Sequence, residues 1–224
     1  MPTERPVRHF QDDLHEVKRR LLEMGGLAEQ RLMVATTGIV TGTRGSLDEV
    51  IVGDHAINAL HLDVDDRCFK LLALHQPMAT DLRAIVAALK INTDLERVAD
   101  LAVNIAEAGV GYLTHAPVNE LIDILRMSTI AQEMLRDALD AYVGGDVALA
   151  QQVIGRDDEL DDLKGRVFRE LLGYMLRDQS TVEPSLDLVL VSRHLERVGD
   201  HATNIAEDVI FLVSARDIRH HAQS

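Results

Sequence analysis

LERVADLAVNIAE, residues 95–107, returns 100 residues further on as LERVGDHATNIAE, residues 195–207, with ten of the thirteen positions identical. Self-similarity of this length marks a duplicated structural unit. Leu95, Val98, Ala102 and Ile105 recur at intervals of three and four, as do Leu195, Val198, Ala202 and Ile205. That spacing gathers apolar side chains on one face of an α-helix. Working outward, each copy occupies the third helical stretch of its half. Six stretches are predicted, over about 10–41, 46–75, 77–109, 118–143 and 146–176, and from a turn at 177–184 to about 213. Gly25-Gly26 weakens the first, and GTRG at 42–45 ends it. Ser46-x-x-Glu49 has the form of a capping box, and Asp146 is a candidate N-cap. The polar segment 114–120 contains Pro117 and is the best boundary. The expected fold is therefore all-α, a tandem duplication of two three-helix bundles, an N-terminal one over 1–115 and a C-terminal one over 116–224.

The composition agrees. Of 224 residues, 46% are hydrophobic but only 3% aromatic, which suits packed helices better than a β-sandwich. A net charge of −14 disfavours nucleic-acid binding, which needs clustered Lys and Arg. A single cysteine, Cys68, leaves no intrachain disulfide and suits a reducing compartment. The charged N-terminus lacks the apolar core of a signal peptide, and no apolar run reaches the ~18 residues of a membrane span. A cytoplasmic protein, meeting membranes only through partners, is expected. Cys68 reads as a packing thiol and the scattered Met residues as core filler.

Glu96 and Asp100, like Glu196 and Asp200, are four apart and share a helix face. Like charges so placed destabilise a helix unless arginines such as Arg97 and Arg197, a neighbouring helix or bound cations compensate. A second pair lies on the preceding helix, Asp157 with Asp161 in the C-terminal half and Asp54 with Asn58 in the N-terminal half. In each half the two pairs are equidistant from the intervening turn, so an antiparallel hairpin sets them at one height. Oxygen ligands on facing helices are how bundles hold divalent metals. No Glu is followed three positions later by His, which argues against the ferritin-like di-iron pattern. The bland alternative is a solvated face or salt bridges with arginines. Nothing offers a redox Cys pair, a phosphate-cradling loop or a nucleophile elbow, so no catalytic and no organic-cofactor residue is assigned. Asn104 and Asn204 read as packing amides, and Asp81 as an acid favoured near a helix start. His55, His61, His194 and His201 lie near the clusters as surface or hydrogen-bonded residues, with auxiliary ligation the alternative.

The duplicated LERVxDxxxNIAE, the stretch QPMATDLRAIVAALKINTDLER at 76–97 and NIAEDVIFLV from Asn204 together resemble the PhoU family of phosphate-transport accessory proteins. The resemblance runs over nearly the whole chain. It implies a non-enzymatic negative regulator of phosphate uptake and of the phosphate-starvation response. The partners it implies are a sensor histidine kinase and the ATPase of the phosphate ABC transporter, and a homodimer is the expected assembly. Carried over, the metal sites would be Asp157, Asp161, Glu196 and Asp200, and Asp54, Glu96 and Asp100, holding iron, zinc or manganese. Asn58 departs from the family's carboxylate, and a neutral amide weakens the N-terminal site. The competing reading is a metal-binding carboxylate bundle, a metal store or metal-dependent enzyme.

Overall fold

The computed structural model describes residues 5–53, 55–118 and 122–215, and among them every regular element is helical. The N-terminal half comprises α1 (Arg5–Thr41), α2 (Arg44–Val52), α3 (His55–His75) and α4 (Thr80–Tyr112). The C-terminal half repeats the order as α5 (Ile122–Gly144), α6 (Val147–Gly155), α7 (Asp157–Arg177) and α8 (Val182–Ser214), with one 3-10 turn, Gln179–Thr181, before α8. Six helices are long, and α2 and α6 are short.

Burial shows the duplication directly. Ile57, Leu60, Val64 and Cys68 on α3 are buried, and so are Leu160, Leu163, Val167 and Leu171 on α7, each 103 positions on. On α4 and α8 the interval is 100, as in Leu95 with Leu195 and Ile105 with Ile205. The backbone repeats too: Gly42 and Gly145 both take positive φ where the first helix of each half ends, a conformation glycine adopts without steric cost.

The two halves share one continuous core. Helices α4 and α8 run antiparallel along each other, because partners that advance on one retreat on the other. Lys90 pairs with Asp208 at 2.9 Å, Asp94 with Asn204 at 3.4 Å, and Gly111 stands against Asp187. Helices α1 and α5 cross in the same sense, with Glu29 bonded to Arg136 and Thr36 to Ser128. These four helices form the middle of the molecule. Helix α3 lies on one flank against α1 and α4, and α7 on the other against α8 and α5.

Several boundaries differ from the expectation. Gly25-Gly26 does not interrupt α1; a Cβ on Gly25 would stand 2.4 Å from Leu139 Cδ1, so the glycine serves the close crossing with α5. The second and fifth stretches are each broken in two, at Gly53 and at Gly155-Arg156. Gly53 donates its N–H to Glu49 O and Arg156 to Val153 O, closing the short helices before the long ones start. Ser46 is no cap: α2 starts two residues earlier, and the Ser46 amide bonds Thr43 O. Asp146 is the cap predicted, its carboxylate accepting from the Ala148 and Leu149 amides. The fourth stretch, expected from about 118, is described as helix over Ile122–Gly144; 118 itself is not helical and 119–121 lie outside the described residues. Pro184 lies inside the first turn of α8, where a missing N–H costs little.

Candidate functional site

The break before α7 changes the setting of the acidic cluster. Asp157 is the first residue of that helix and not a mid-helix position, so its carboxylate faces the positive end of the helix dipole. It is nonetheless held above the ordinary aspartate value, first by burial and then by the charges of Asp161, Glu196 and Asp158. Asp200, across on α8, is raised for the same reasons, by burial and by Glu196, Asp157 and Asp161. Asp157 and Asp200 therefore both feel the charges of Asp161 and Glu196. The height match read from the sequence holds in this half.

A lysine between the helices was missed by the sequence reading. Lys164 Nζ donates to Asp161 Oδ1 on its own helix at 2.6 Å and to Glu196 Oε1 on α8 at 2.6 Å. Burial alone would lower its affinity for the proton, but the bonds to Asp161 and Glu196 hold its pKa above the ordinary lysine value. Asp161-x-x-Lys164 was a legible helical ion pair; the reach to Glu196 was not. Arg197, named as a compensating residue, forms no ion pair with the cluster among the described residues, whereas Arg126 reaches Glu159 at 2.7 Å and Arg156 reaches Asp137 at 2.8 Å.

The N-terminal counterpart is built differently. Glu96 and Asp100 are both served by Arg97 of their own helix, at 3.5 Å and 3.2 Å. Asp54 lies outside the described residues. His61, which occupies the position of Lys164, is turned to Asp65 at 3.7 Å. Asn92 is fully buried and crosses from α4 to α3, donating to His61 O at 3.0 Å and Asp65 Oδ1 at 2.9 Å. His201 Nδ1 stands 2.8 Å from Asp94 Oδ1 in the α4–α8 seam. His194 is pushed below the ordinary histidine value by burial and by Arg197 and Arg193. Cys68 is fully buried, and burial drives its thiol up to about 12, so it packs and does not react.

Asp157, Asp161, Glu196 and Asp200 supply the hard oxygen donors a divalent ion requires. As arranged here they are closed by Lys164, and among the described residues no three Asp, Glu, His or Cys side chains converge at ligand range. The donor chemistry fits a cation, but the arrangement described here does not bring three of the donors together, and Lys164 already engages two of the four.

A duplicated all-helical bundle with acidic flanks is a specific architecture, and the comparisons with known proteins place it. The PhoU domain family model matches twice, over residues 21–109 and 124–209. A PhoU homologue of Caulobacter vibrioides (strain NA1000 / CB15N), named a phosphate-specific transport system accessory protein, is 37% identical over 217 residues, covering 96% of this chain and 94% of its own. An Aquifex aeolicus homologue of the same name is 36% identical over 208 residues, covering 93% and 94%. The crystal structure of PhoU from Pseudomonas aeruginosa superposes with a TM-score of 0.89 at 34% identity, over 92% of this chain and 100% of that one. The phosphate transport system regulatory protein PhoU from Streptococcus pneumoniae gives 0.87 at 26%, over 93% and 98%. The chain belongs to the PhoU family.

Proposed function

We propose that this chain is a regulatory accessory protein of phosphate transport, acting by binding and not by turnover. The observation that carries the proposal is the doubled PhoU domain, supported by relatives named as accessory proteins of the phosphate-specific transport system. The partners in this reading are a sensor histidine kinase and the ATPase of the phosphate ABC transporter, met at the cytoplasmic side of the membrane; among the described residues no helix is long and apolar enough to cross a bilayer. Binding biases which state the partner occupies, restraining uptake and the starvation response when phosphate is ample. A surface of net charge −14 repels free phosphate, so the charge recognises a basic protein surface more readily than the anion. Deleting the gene is expected to derepress phosphate-starvation genes in high phosphate, and the purified protein to retain the kinase or the ATPase at low salt. Unchanged reporter output together with no retention of either partner would refute the reading.

A second reading, metal binding, is favoured by the four carboxylates that α7 and α8 bring to one level, of which Asp157 and Asp200 are held above the ordinary aspartate value by burial first and then by the neighbouring carboxylates. Asp157, Asp161, Glu196 and Asp200 would hold an iron, zinc or manganese ion, which would supply the positive charge Lys164 now provides. Glu96 and Asp100, with Asp54, would form a weaker counterpart. Elemental analysis after metal loading tests it: Glu196→Gln with Asp200→Asn should remove most bound metal, and equal content in wild type and variant would reject it.

A further inference from the structure

The two hairpins α3–α4 and α7–α8 differ at one level next to the acidic residues. In the first, fully buried Asn92 spans the helices through His61 O and Asp65 Oδ1. At the equivalent places the second has Ser192, Lys164 and Phe168. Ser192 is too short to cross, and its hydroxyl donates to Val189 O of its own helix at 2.9 Å. What remains is an open groove of about 380 Å³ lined by Gly165, Phe168, Val189 and Ser192, with the Lys164–Glu196 pair and Arg193 as its charged lining. Phe168 is 50% exposed, and Leu172, one turn on, is 40% exposed. Lys164 is already engaged with Glu196 and Ser192 with Val189 O, so of the lining only Arg193 is left to orient a polar metabolite, against the apolar surface of Gly165, Phe168 and Val189. Glu196 belongs both to the groove and to the carboxylate cluster of Asp157, Asp161 and Asp200. An apolar slot thus adjoins a patch of excess negative charge.

We propose that the α7–α8 groove is a docking site for a segment of a partner protein that carries a Leu- or Phe-sized side chain and, within about a helical turn of it, a Lys or Arg. The apolar side chain enters between Gly165 and Phe168, and the cation meets Asp157 and Asp200. This rests on the reading of the chain as a binding regulator and specifies where that binding occurs. Charge complementarity decides between occupants: a second copy of this acidic chain would bring like charge to the cluster, a basic segment opposite charge.

The probe is a fluorescein-labelled amphipathic helical peptide of leucine, lysine and alanine, read by anisotropy, with the purified transporter ATPase as a parallel ligand. Gly165→Leu fills the groove, and its Cβ meets only Arg169 Nη1 at 3.4 Å, an ordinary contact. Phe168→Asp, which installs the residue type found at Asp65, removes the apolar wall without adding bulk. Each variant is expected to weaken peptide binding at least tenfold with helical content unchanged. Peptide binding that is absent in wild type, or that stays at the wild-type level in both variants, overturns the proposal. So does equal capture of the ATPase by wild type and Gly165→Leu, which would leave the regulatory reading standing. Loss of peptide binding in the variants, with no ATPase capture even by wild type, supports the groove and removes the ATPase from the regulatory reading instead. A dimer that dissociates on Gly165→Leu would assign the groove to a second copy and overturn the proposal.

Discussion

The hairpins α3–α4 and α7–α8 carry the same buried apolar ladder but opposite polar solutions. In the N-terminal hairpin acids are neutralised close at hand: Arg97 serves Glu96 and Asp100 on one helix, and Asn92 ties Asp65 to α4. In the C-terminal hairpin a single lysine bridges two of four carboxylates, and the other two keep their protons more tightly than usual. Packing constrains the buried positions of both copies alike, because a core residue that changes volume is felt by all its neighbours. The polar flank has no such constraint, so duplicated units diverge there. The half with unbalanced charge is the one to which both proposals assign a cation, a metal ion in one and a basic side chain in the other.

The largest test of this contrast lies in the seam between the halves. Lys90 on α4 neutralises Asp208, which is 5% exposed, while Leu190 occupies the equivalent position on α8 and is 44% exposed. Lys90→Met leaves a carboxylate buried with a partner lost and should lower unfolding stability by about 2–3 kcal/mol. Leu190→Ala should cost under about 1 kcal/mol. Urea melts of both variants decide the matter; equal losses would mean that the seam is not held asymmetrically.

A smaller effect is expected at Lys164. Its side chain is 35% exposed and Asp161 is 56% exposed, so solvent screens part of the attraction. Lys164→Met should cost about 1 kcal/mol in chelated buffer, and should raise iron, zinc or manganese uptake because the cluster loses its resident cation. His61→Met, at the equivalent place, should leave metal content unchanged. Uptake that falls or stays level in Lys164→Met would show the lysine is not what closes the site.

The smallest effect concerns Asp200 and depends on pH. A carboxylate whose folded pKa lies above its unfolded value binds protons more tightly in the folded state, so it costs stability when ionised and the cost vanishes in acid. Asp200→Asn should therefore be slightly stabilising at neutral pH, by a few tenths of a kcal/mol given its exposure, with the gain disappearing as pH falls toward the ordinary value of 3.8. Asp100→Asn, which gives up a contact with Arg97, should show no such gain. Thermal melts at several pH values distinguish the two.

The apolar ladder, the duplication and the number of long helices were legible in the sequence because periodicity reports burial directly. The acidic cluster of Asp157, Asp161, Glu196 and Asp200 was legible for a related reason: equal distance from a turn fixes equal height in a hairpin. The breaks at Gly53 and Gly155 were not, because a lone glycine in a helical pattern is usually tolerated. Gly25-Gly26 misled in the opposite direction, since its role is set by Leu139 on a helix more than a hundred residues away. The same distance hid Lys90–Asp208 and His201–Asp94: local spacing carries no information about which faces of α4 and α8 meet. Asn92 sat unnoticed in an apolar face because its partners, His61 O and Asp65, become visible only once α3 and α4 are packed.

The central claim is that the C-terminal cluster, and not its N-terminal copy, is what a partner recognises. Titrating the purified transporter ATPase against wild type, Glu196→Gln/Asp200→Asn and Glu96→Gln/Asp100→Asn at low salt tests it most directly. The account predicts that the C-terminal double variant binds about tenfold more weakly, that the N-terminal one stays within about twofold of wild type, and that the gap narrows as salt is raised. Equal weakening by both variants, or a loss confined to the N-terminal one, would contradict it.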